Sequence, residues 1–263
     1  MAKRKKRQGV SARVPVARAL RHLVLPDRCM ACGTYLPPDP GKEPLAACFC
    51  SSCLALPLPV FSPPYCCCCG CLFPRGAGEN HLCESCLTSR PKIETVRAAF
   101  AYEGIIRTAV GLLKYKGRVR LAGPLCHYLF NSFQQYFKDI DLVVPVPLHP
   151  SRAWERQFNQ AVLLVRQFSR RFQNQYGRAP DWQIRPQVLS RCRPTISQTG
   201  LDQKAREKNM HQAFVVKDPG RVKGKQILLI DDVYTSGATC RAAASCLITA
   251  GARQVDVLVL ARA

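Results

Sequence analysis

Residues 227–240, ILLIDDVYTSGATC, set two adjacent aspartates between an apolar run and a small, hydroxyl-rich turn. Like charges side by side repel when desolvated, so packing alone gives the pair no reason to stand there. The flanks define the setting. Ile227–Ile230 is short, apolar and β-branched at both ends, the pattern of a buried strand. Cys240–Thr249 is alanine-rich and helical, Gly251 supplies a C-terminal stop, and Val255–Leu260 reads as a second strand. A strand–loop–helix–strand unit implies an α/β fold. It puts Asp231 and Asp232 at the carboxyl end of the first strand, where open α/β sheets bind their ligands.

The loop chemistry suits a phosphate. Thr235, Ser236 and Thr239 offer hydroxyl donors, Gly237 allows close backbone approach, and the run through Ala238 leads into a helix N-terminus. The two acids just before it suit neutral hydroxyls, such as those of a ribose. No G-x-x-x-x-G-K-[ST] occurs and no G-x-G-x-x-G follows a strand, which argues against nucleoside triphosphatase and dinucleotide chemistry. An acid pair capping an ordinary helix is the plainer alternative, but acids, hydroxyls and glycine in this order favour a ligand. The stretch LLIDDVYTSGAT resembles the motif with which type I phosphoribosyltransferases bind 5-phosphoribosyl 1-pyrophosphate (PRPP). That resemblance implies that Asp231 and Asp232 hold the ribose hydroxyls while residues 235–239 cradle the 5-phosphate.

At 263 residues the chain can hold one full domain and a small one. Its formal charge of +22 predicts attraction to nucleic acid, anionic membrane surfaces or phosphate-rich ligands, with a solvated basic face as the alternative. No apolar run is long enough to span a membrane. The start, MAKRKKRQGVSARVPVARALRHLVLP, is basic, and Arg13, Arg18, Arg21 and His22 interrupt its apolar stretch, which argues against a secretory signal. An organelle transit peptide is an alternative. Residues 1–24 read as a basic tail and lead-in, and the chain reads as cytoplasmic.

Of the 16 cysteines, twelve lie between Cys29 and Cys86. Four C-x-x-C pairs stand out: Cys29 with Cys32, Cys50 with Cys53, Cys66 with Cys69, and Cys83 with Cys86. Each such turn presents two thiolates to one tetrahedral metal, and two turns close a structural site. Residues 25–91 therefore read as a double zinc ribbon, two structural Zn2+ ions held by first pair with second and third with fourth, a cross-braced pairing being the other possibility. A disulfide framework would need an oxidising compartment. Cys48, Cys67, Cys68 and Cys71 are supernumerary by spacing, and the run YCCCCGC leaves the ligand choice around Cys66–Cys71 open. His81 reads as a solvent-facing loop residue or a substitute ligand. Cys126, Cys192, Cys240 and Cys246 read as packing residues. The Pro-rich stretch 54–65 reads as the link between the ribbons.

From residue 92 the pattern changes. VRAAFAYEG begins as a strand, IIRTAVGLLKYKG is an amphipathic helix, and GPLCHYLFNSFQQYF is a helix with an aromatic core stripe. DLVVPVPLHP is a strand ending in a proline-rich loop, and one helix is expected from about Arg156 through RQFNQAVLLVRQFSRRF. Alternating strands and helices predict a mainly parallel sheet with helices on both faces over residues 92–263. Three basic groups stand out: Lys114 with Lys116, Arg152 with Arg156, and Arg191, Arg193 and Arg206. The last group lies in a long polar segment, SRCRPTISQTGLDQKAREKNMHQAF, that reads as a mobile cover over a site.

LLKYKG, VVPVPLHPSR, RQFNQA, the spaced T-x-x-Q-x-x-L-x-x-x-x-R-x-x-N from Thr195 to Asn209, and AF at Ala213 resemble segments of the ComF family. So does the double cysteine ribbon ahead of the transferase-like domain. The likeness runs from about Leu25 to the C-terminus. One departure is Gln157, where the family has glycine. The resemblance implies a role in DNA uptake during natural transformation, with PRPP and Mg2+ as ligands. An active site would transfer 5-phosphoribosyl and release pyrophosphate. Asp231, Asp232 and Arg206 would then serve catalysis, and the Val146–Arg152 segment, with Pro147, Leu148, His149 and Arg152, would form the pyrophosphate loop. A non-catalytic sensor of PRPP or nucleotide that engages single-stranded DNA and uptake proteins is the alternative, and a nucleobase-salvage enzyme a third. The acceptor and the oligomeric state are not legible in the sequence.

Overall fold

The computed structural model describes residues 26–39, 41–54, 57–74, 76–192 and 213–263, and the chain divides after Leu54 into two compact units. The first unit is small. Arg28 and Tyr35 bridge as antiparallel strands across the first cysteine turn, a short helix α1 (Ser51–Leu54) carries the second, and Leu36, Leu45 and Phe49 form the buried centre.

The second unit carries a short helix α2 (Glu84–Thr88) and then the strands and helices of an α/β domain. In chain order these are β1 (Val96–Ala101), α3 (Gly104–Lys116), α4 (Ala122–Phe133), β2 (Leu142–Pro145), α5 (Pro150–Arg156), α6 (Gln160–Val165), α7 (Phe168–Tyr176), β3 (Gln183–Ile184), β4 (Leu189–Arg191), β5 (Phe214–Val216), β6 (Gln226–Tyr234), α8 (Ala238–Thr249) and β7 (Gln254–Arg262). Five strands form one sheet in the order β1-β7-β6-β2-β3, every pair parallel, as the alternating pattern predicts. The strands β4 and β5 form a separate antiparallel pair.

The central strands are apolar on both faces because both are covered. Ile227, Leu229, Val255, Val257 and Val259 share a core with Ala243, Ala244 and Leu247 of α8. The pleat turns the alternate residues to the other face, where α4 packs on β1 and β7, and α6 on β2 and β6. The aromatic stripe of α4 is core, as expected: Phe133 and Phe130 stack or meet edge-on with Phe168, and Phe133 with Trp182. Among the described residues no helix is long and apolar enough to cross a membrane.

The single helix expected from Arg156 onward is two, α6 and α7, and α5 ends where it was expected to begin. Pro150 sits in the first turn of α5, where its missing N–H costs nothing, so the helix begins inside the proline-rich loop. Gln157 ends it at φ 63°, in the left-handed region, and Asn159 caps α6 by accepting from the backbone N–H of Ala161 and Val162. The helix after β6 starts at Ala238, two residues ahead of the expected Cys240, and Gly251 (φ 97°) stands just beyond its end.

Composition changes near residue 92, but packing changes after Leu54. The reason lies in the backbone of residues 59–68. Val60 bridges antiparallel to Phe100, Phe61 donates to the Ala99 carbonyl (3.1 Å), Ala101 donates to Pro59 (2.8 Å), and Val96 donates to Cys68 (2.7 Å). The proline-rich stretch thus covers the open edge of β1 and joins the second cysteine cluster to the sheet's own unit.

Candidate functional site

The acids owe their position to a difference in strand length. β6 pairs with β2 only as far as Pro145↔Ile230, but with β7 as far as Tyr234↔Arg262. Asp231 and Asp232 therefore lie on a stretch of strand paired on one side and bare on the other. A cavity of about 510 Å³ opens there, between β6 and the chain that leaves β2. This is the crevice beyond the carboxyl ends of the strands where an α/β sheet offers room for a ligand.

Lys114, from the last turn of α3, points into the cavity and pairs with Asp232, Nζ to Oδ1 at 2.8 Å, with both side chains largely buried. Burial alone would lower the Lys114 pKa, but the Asp232 charge and hydrogen bond outweigh it and hold the ammonium above its ordinary value. Asp231 is pushed up to about 7, first by burial and then by the neighbouring Asp232 charge. Its Oδ1 accepts from the Asp232 N–H (2.9 Å), while Asp232 Oδ1 accepts from the Val233 N–H (2.6 Å).

Facing the acids are Arg152, Arg156 and Arg191. Arg191 is buried and brought down to about 10, first by desolvation and then by the Arg152 charge. Guanidinium groups held this close repel, and an anion between them would relieve it. Pro147 and Leu148 line the same wall. His149 turns away from it: its Nδ1 accepts from Ser151 N–H (3.3 Å), capping α5. Asn159 Nδ2 donates to the Val146 carbonyl (3.0 Å), tying the start of α6 to the end of β2.

The turn after the acids is seated on Tyr234. Gly237 has φ 75°, and a Cβ there would collide with the Tyr234 ring, so no other residue fits. Arg241 donates to the Ser236 carbonyl (2.7 Å), fixing the turn to α8. Thr235 and Thr239 line the cavity, whereas Ser236, Gly237 and Ala238 form the turn behind them. Of the residues singled out in the sequence, the fold thus gathers Asp231, Asp232, Thr235, Thr239, Lys114, Pro147, Leu148, Arg152, Arg156 and Arg191 around one space. Arg206, Arg193 and the Thr195–Asn209 pattern lie outside the described residues. Tyr102, Tyr115, Glu155 and Asn159 also line the cavity, and their sequence signal was confined to the places of Tyr115 in LLKYKG and Asn159 in RQFNQA. Arg156 lies over the Tyr115 ring, 5.3 Å from its centre.

The cysteines converge in two groups. The sulfurs of Cys29, Cys32, Cys50 and Cys53 lie within 4.8 Å of one another, as do those of Cys66, Cys69, Cys83 and Cys86. Cys32 and Cys50 Sγ are 3.6 Å apart, and Cys69 and Cys83 Sγ 3.7 Å. A tetrahedron of thiolates at ~2.3 Å from zinc has S···S edges of ~3.8 Å, so the donor sets fit a metal ion each. Among the other thiols Cys68 is buried and donates to the Ile93 carbonyl (3.5 Å). His81 stacks flat on Phe73 with ring centres 4.1 Å apart, outside the cluster.

Comparison with known proteins adds the following. The family model described as phosphoribosyl transferase domain matches residues 161–263, and with the parallel sheet it makes the second unit's α/β part phosphoribosyltransferase-like. The DNA utilization protein YhgH of Salmonella typhi is 30% identical over 192 residues, covering 71% of this chain and 80% of that protein. Competence protein F of Haemophilus influenzae is 27% identical over 213 residues, covering 78% and 87%. Competence protein ComFC of Bacillus subtilis is 26% identical over 184 residues, covering 67% and 70%.

Proposed function

We propose, from the premise that this chain belongs to the ComF family of competence and DNA-utilization proteins, that it binds PRPP in the cavity beside β6 and acts in DNA uptake. The observation that carries the reading is the acid pair on the half-paired end of β6, set between a tight hydroxyl turn and a wall of arginines. Asp231 and Asp232 would accept from the ribose 2′ and 3′ hydroxyls. Residues 235–239 would hold the 5-phosphate with hydroxyls and the N-terminus of α8. Arg152 and Arg191, with the Pro147–Leu148 backbone, suit the pyrophosphate. Carboxylate and phosphate oxygens are hard donors, so Asp231 and Asp232 also suit Mg2+, which when bound offsets charge on the leaving pyrophosphate.

As pyrophosphate leaves ribose C1 the ring gains positive charge. The residues' part is to hold the ring still and to keep carboxylate charge near it while the arginines stabilise the departing anion. We assign structural Zn2+ to both cysteine clusters: four thiolates leave no open position for chemistry. We assign the protein to the cytoplasm, where cysteines stay reduced and available to metal.

A second reading, a sensor that engages single-stranded DNA, is favoured by exposed aromatics on α5 and α3. Trp154 is 81% exposed on α5, and Tyr115 is 70% exposed under Arg156, which suits base stacking beside cations. One assay separates the two. Zinc-loaded protein is given PRPP and Mg2+ with free bases, nucleosides or single strands, and pyrophosphate is followed. Acceptor-dependent release supports a transferase. Binding of PRPP without release, with capture of single strands that weakens steeply in salt, supports the sensor.

A further inference from the structure

The two cysteine clusters are alike in ligands but not in what they are built into. The hydrogen bonds of the Cys29–Cys53 cluster run within its own compact unit, as from Met30 N–H to the Cys48 carbonyl (2.9 Å) and from Cys29 N–H to Thr34 (2.7 Å). The Cys66–Cys86 cluster is part of the unit that holds the sheet. Its Cys66–Cys69 turn lies against the start of β1: Val96 donates to Cys68, the Cys68 thiol donates to Ile93, and a Cβ on Gly70 would stand 2.6 Å from the Val96 carbonyl oxygen. The approach is that close only because residue 70 is glycine at φ 65°.

From there the connection to the phosphate turn is continuous. Val96, Ala98, Tyr234, Ala238 and Cys240 belong to one buried core, and Phe61, ahead of the cluster, packs on it. A row of backbone hydrogen bonds also crosses the sheet at the carboxyl ends of β1, β7 and β6. Ala101 donates to Pro59 (2.8 Å), Tyr102 to Arg262 (2.7 Å) and Ala263 to Tyr234 (3.0 Å). Tyr234 is the seat of Gly237, and the Arg262 guanidinium lies 4.8 Å from its ring centre. Burial pushes the Tyr234 phenol up.

We propose that the Cys66–Cys86 cluster is the foundation of the phosphate turn, with Tyr234 as the positioning residue between them, so that metal bound there sets how well residues 233–239 are ordered and hence how tightly the cavity holds a phosphorylated ligand. The Cys29–Cys53 cluster has no such role. The ligand half of this statement rests on the PRPP reading; the ordering half does not. Without its metal, the second cluster loses the four bonds that fix residues 66–86, and the loosening passes through Val96 and Phe61 to the turn.

The test uses the full-length chain as wild type, Cys83→Ser and Cys50→Ser, with metal content measured, amide exchange followed at residues 233–239, and PRPP with Mg2+ titrated by calorimetry. Cys83→Ser is expected to speed exchange in the turn by about tenfold or more and to weaken PRPP by a similar factor, while Cys50→Ser changes neither. Phe61→Ala guards against a variant that fails to fold. It keeps all eight ligands, and is expected to retain two metals and near-native helix content yet to speed exchange in the turn. Unchanged exchange in both Cys83→Ser and Phe61→Ala, or an equal effect from Cys50→Ser, overturns the proposal. Faster exchange in Cys83→Ser with no PRPP binding by wild type overturns the PRPP reading and leaves the coupling standing.

Discussion

Lys114 Nζ lies 2.8 Å from one oxygen of Asp232, and this contact divides the acid pair into two unlike groups. Asp232 faces a buried cation, and Asp231 carries the cost of burial, its pKa raised to about 7 from an ordinary 3.8. A folded-state pKa above the unfolded one means that the folded protein binds the proton more tightly. Asp231 therefore costs no stability below pH ~4, costs progressively more as pH rises from ~4 to ~7, and the loss levels off above that. Asp231→Asn should remove this slope, gaining on the order of 1–2 kcal/mol over wild type at pH 8 and little at pH 4.5 in chemical denaturation. The difference between the two proteins isolates Asp231, because thiolate–metal bonds weaken on acidification in both. A gain of the same size at both pH values would remove the assigned charge state. The adjacent acids and the turn glycine were legible in the sequence because they are local. The Lys114–Asp232 pair was not, since nothing in LLKYKG says which acid its lysine meets.

Elements were legible where periodicity is sustained. The apolar, valine-rich run Val255–Leu260 and the helical spacing of residues 105–116 marked β7 and α3, although β7 runs on to Arg262. Periodicity failed where two helices meet end to end. The apolar pattern continues across residues 156–160, so only the chemistry of single residues breaks it: Pro150 opening α5, Gln157 turning left-handed, Asn159 capping α6. That turn also explains the departure at Gln157, since glycine is the residue that reaches φ 63° without strain. Gln157→Gly is expected to stabilise the protein by about 0.5–1 kcal/mol, less the weak Gln157 Nε2 to Trp154 carbonyl bond, and to raise the melting temperature by about 2–3 °C. An unchanged or lower melting temperature would mean the turn is not strained. Strand length is the other feature hidden from the sequence. β2 ends at Pro145 and β6 continues to Tyr234, and the cavity is the consequence of that mismatch.

At the scale of the whole molecule, charge predicted anionic partners and cysteine content predicted metal clusters; the cysteines converge in two groups that could each hold an ion, and the arginines around the cavity are a small part of the +22. The break in composition near residue 92 gave no hint that residues 59–68 hydrogen-bond along β1, because backbone pairing leaves no side-chain pattern in a proline-rich stretch. The central claim is that the half-paired end of β6 holds the ribose of PRPP between its acids and the phosphate turn. The most direct measurement is calorimetric titration of PRPP with Mg2+ into the zinc-loaded full-length protein and into Asp231→Asn/Asp232→Asn. Saturable binding by wild type, weakened by about tenfold or more in a double variant that keeps its fold and metal content, is the expected result. Equal binding by both proteins, or none by wild type, would contradict it.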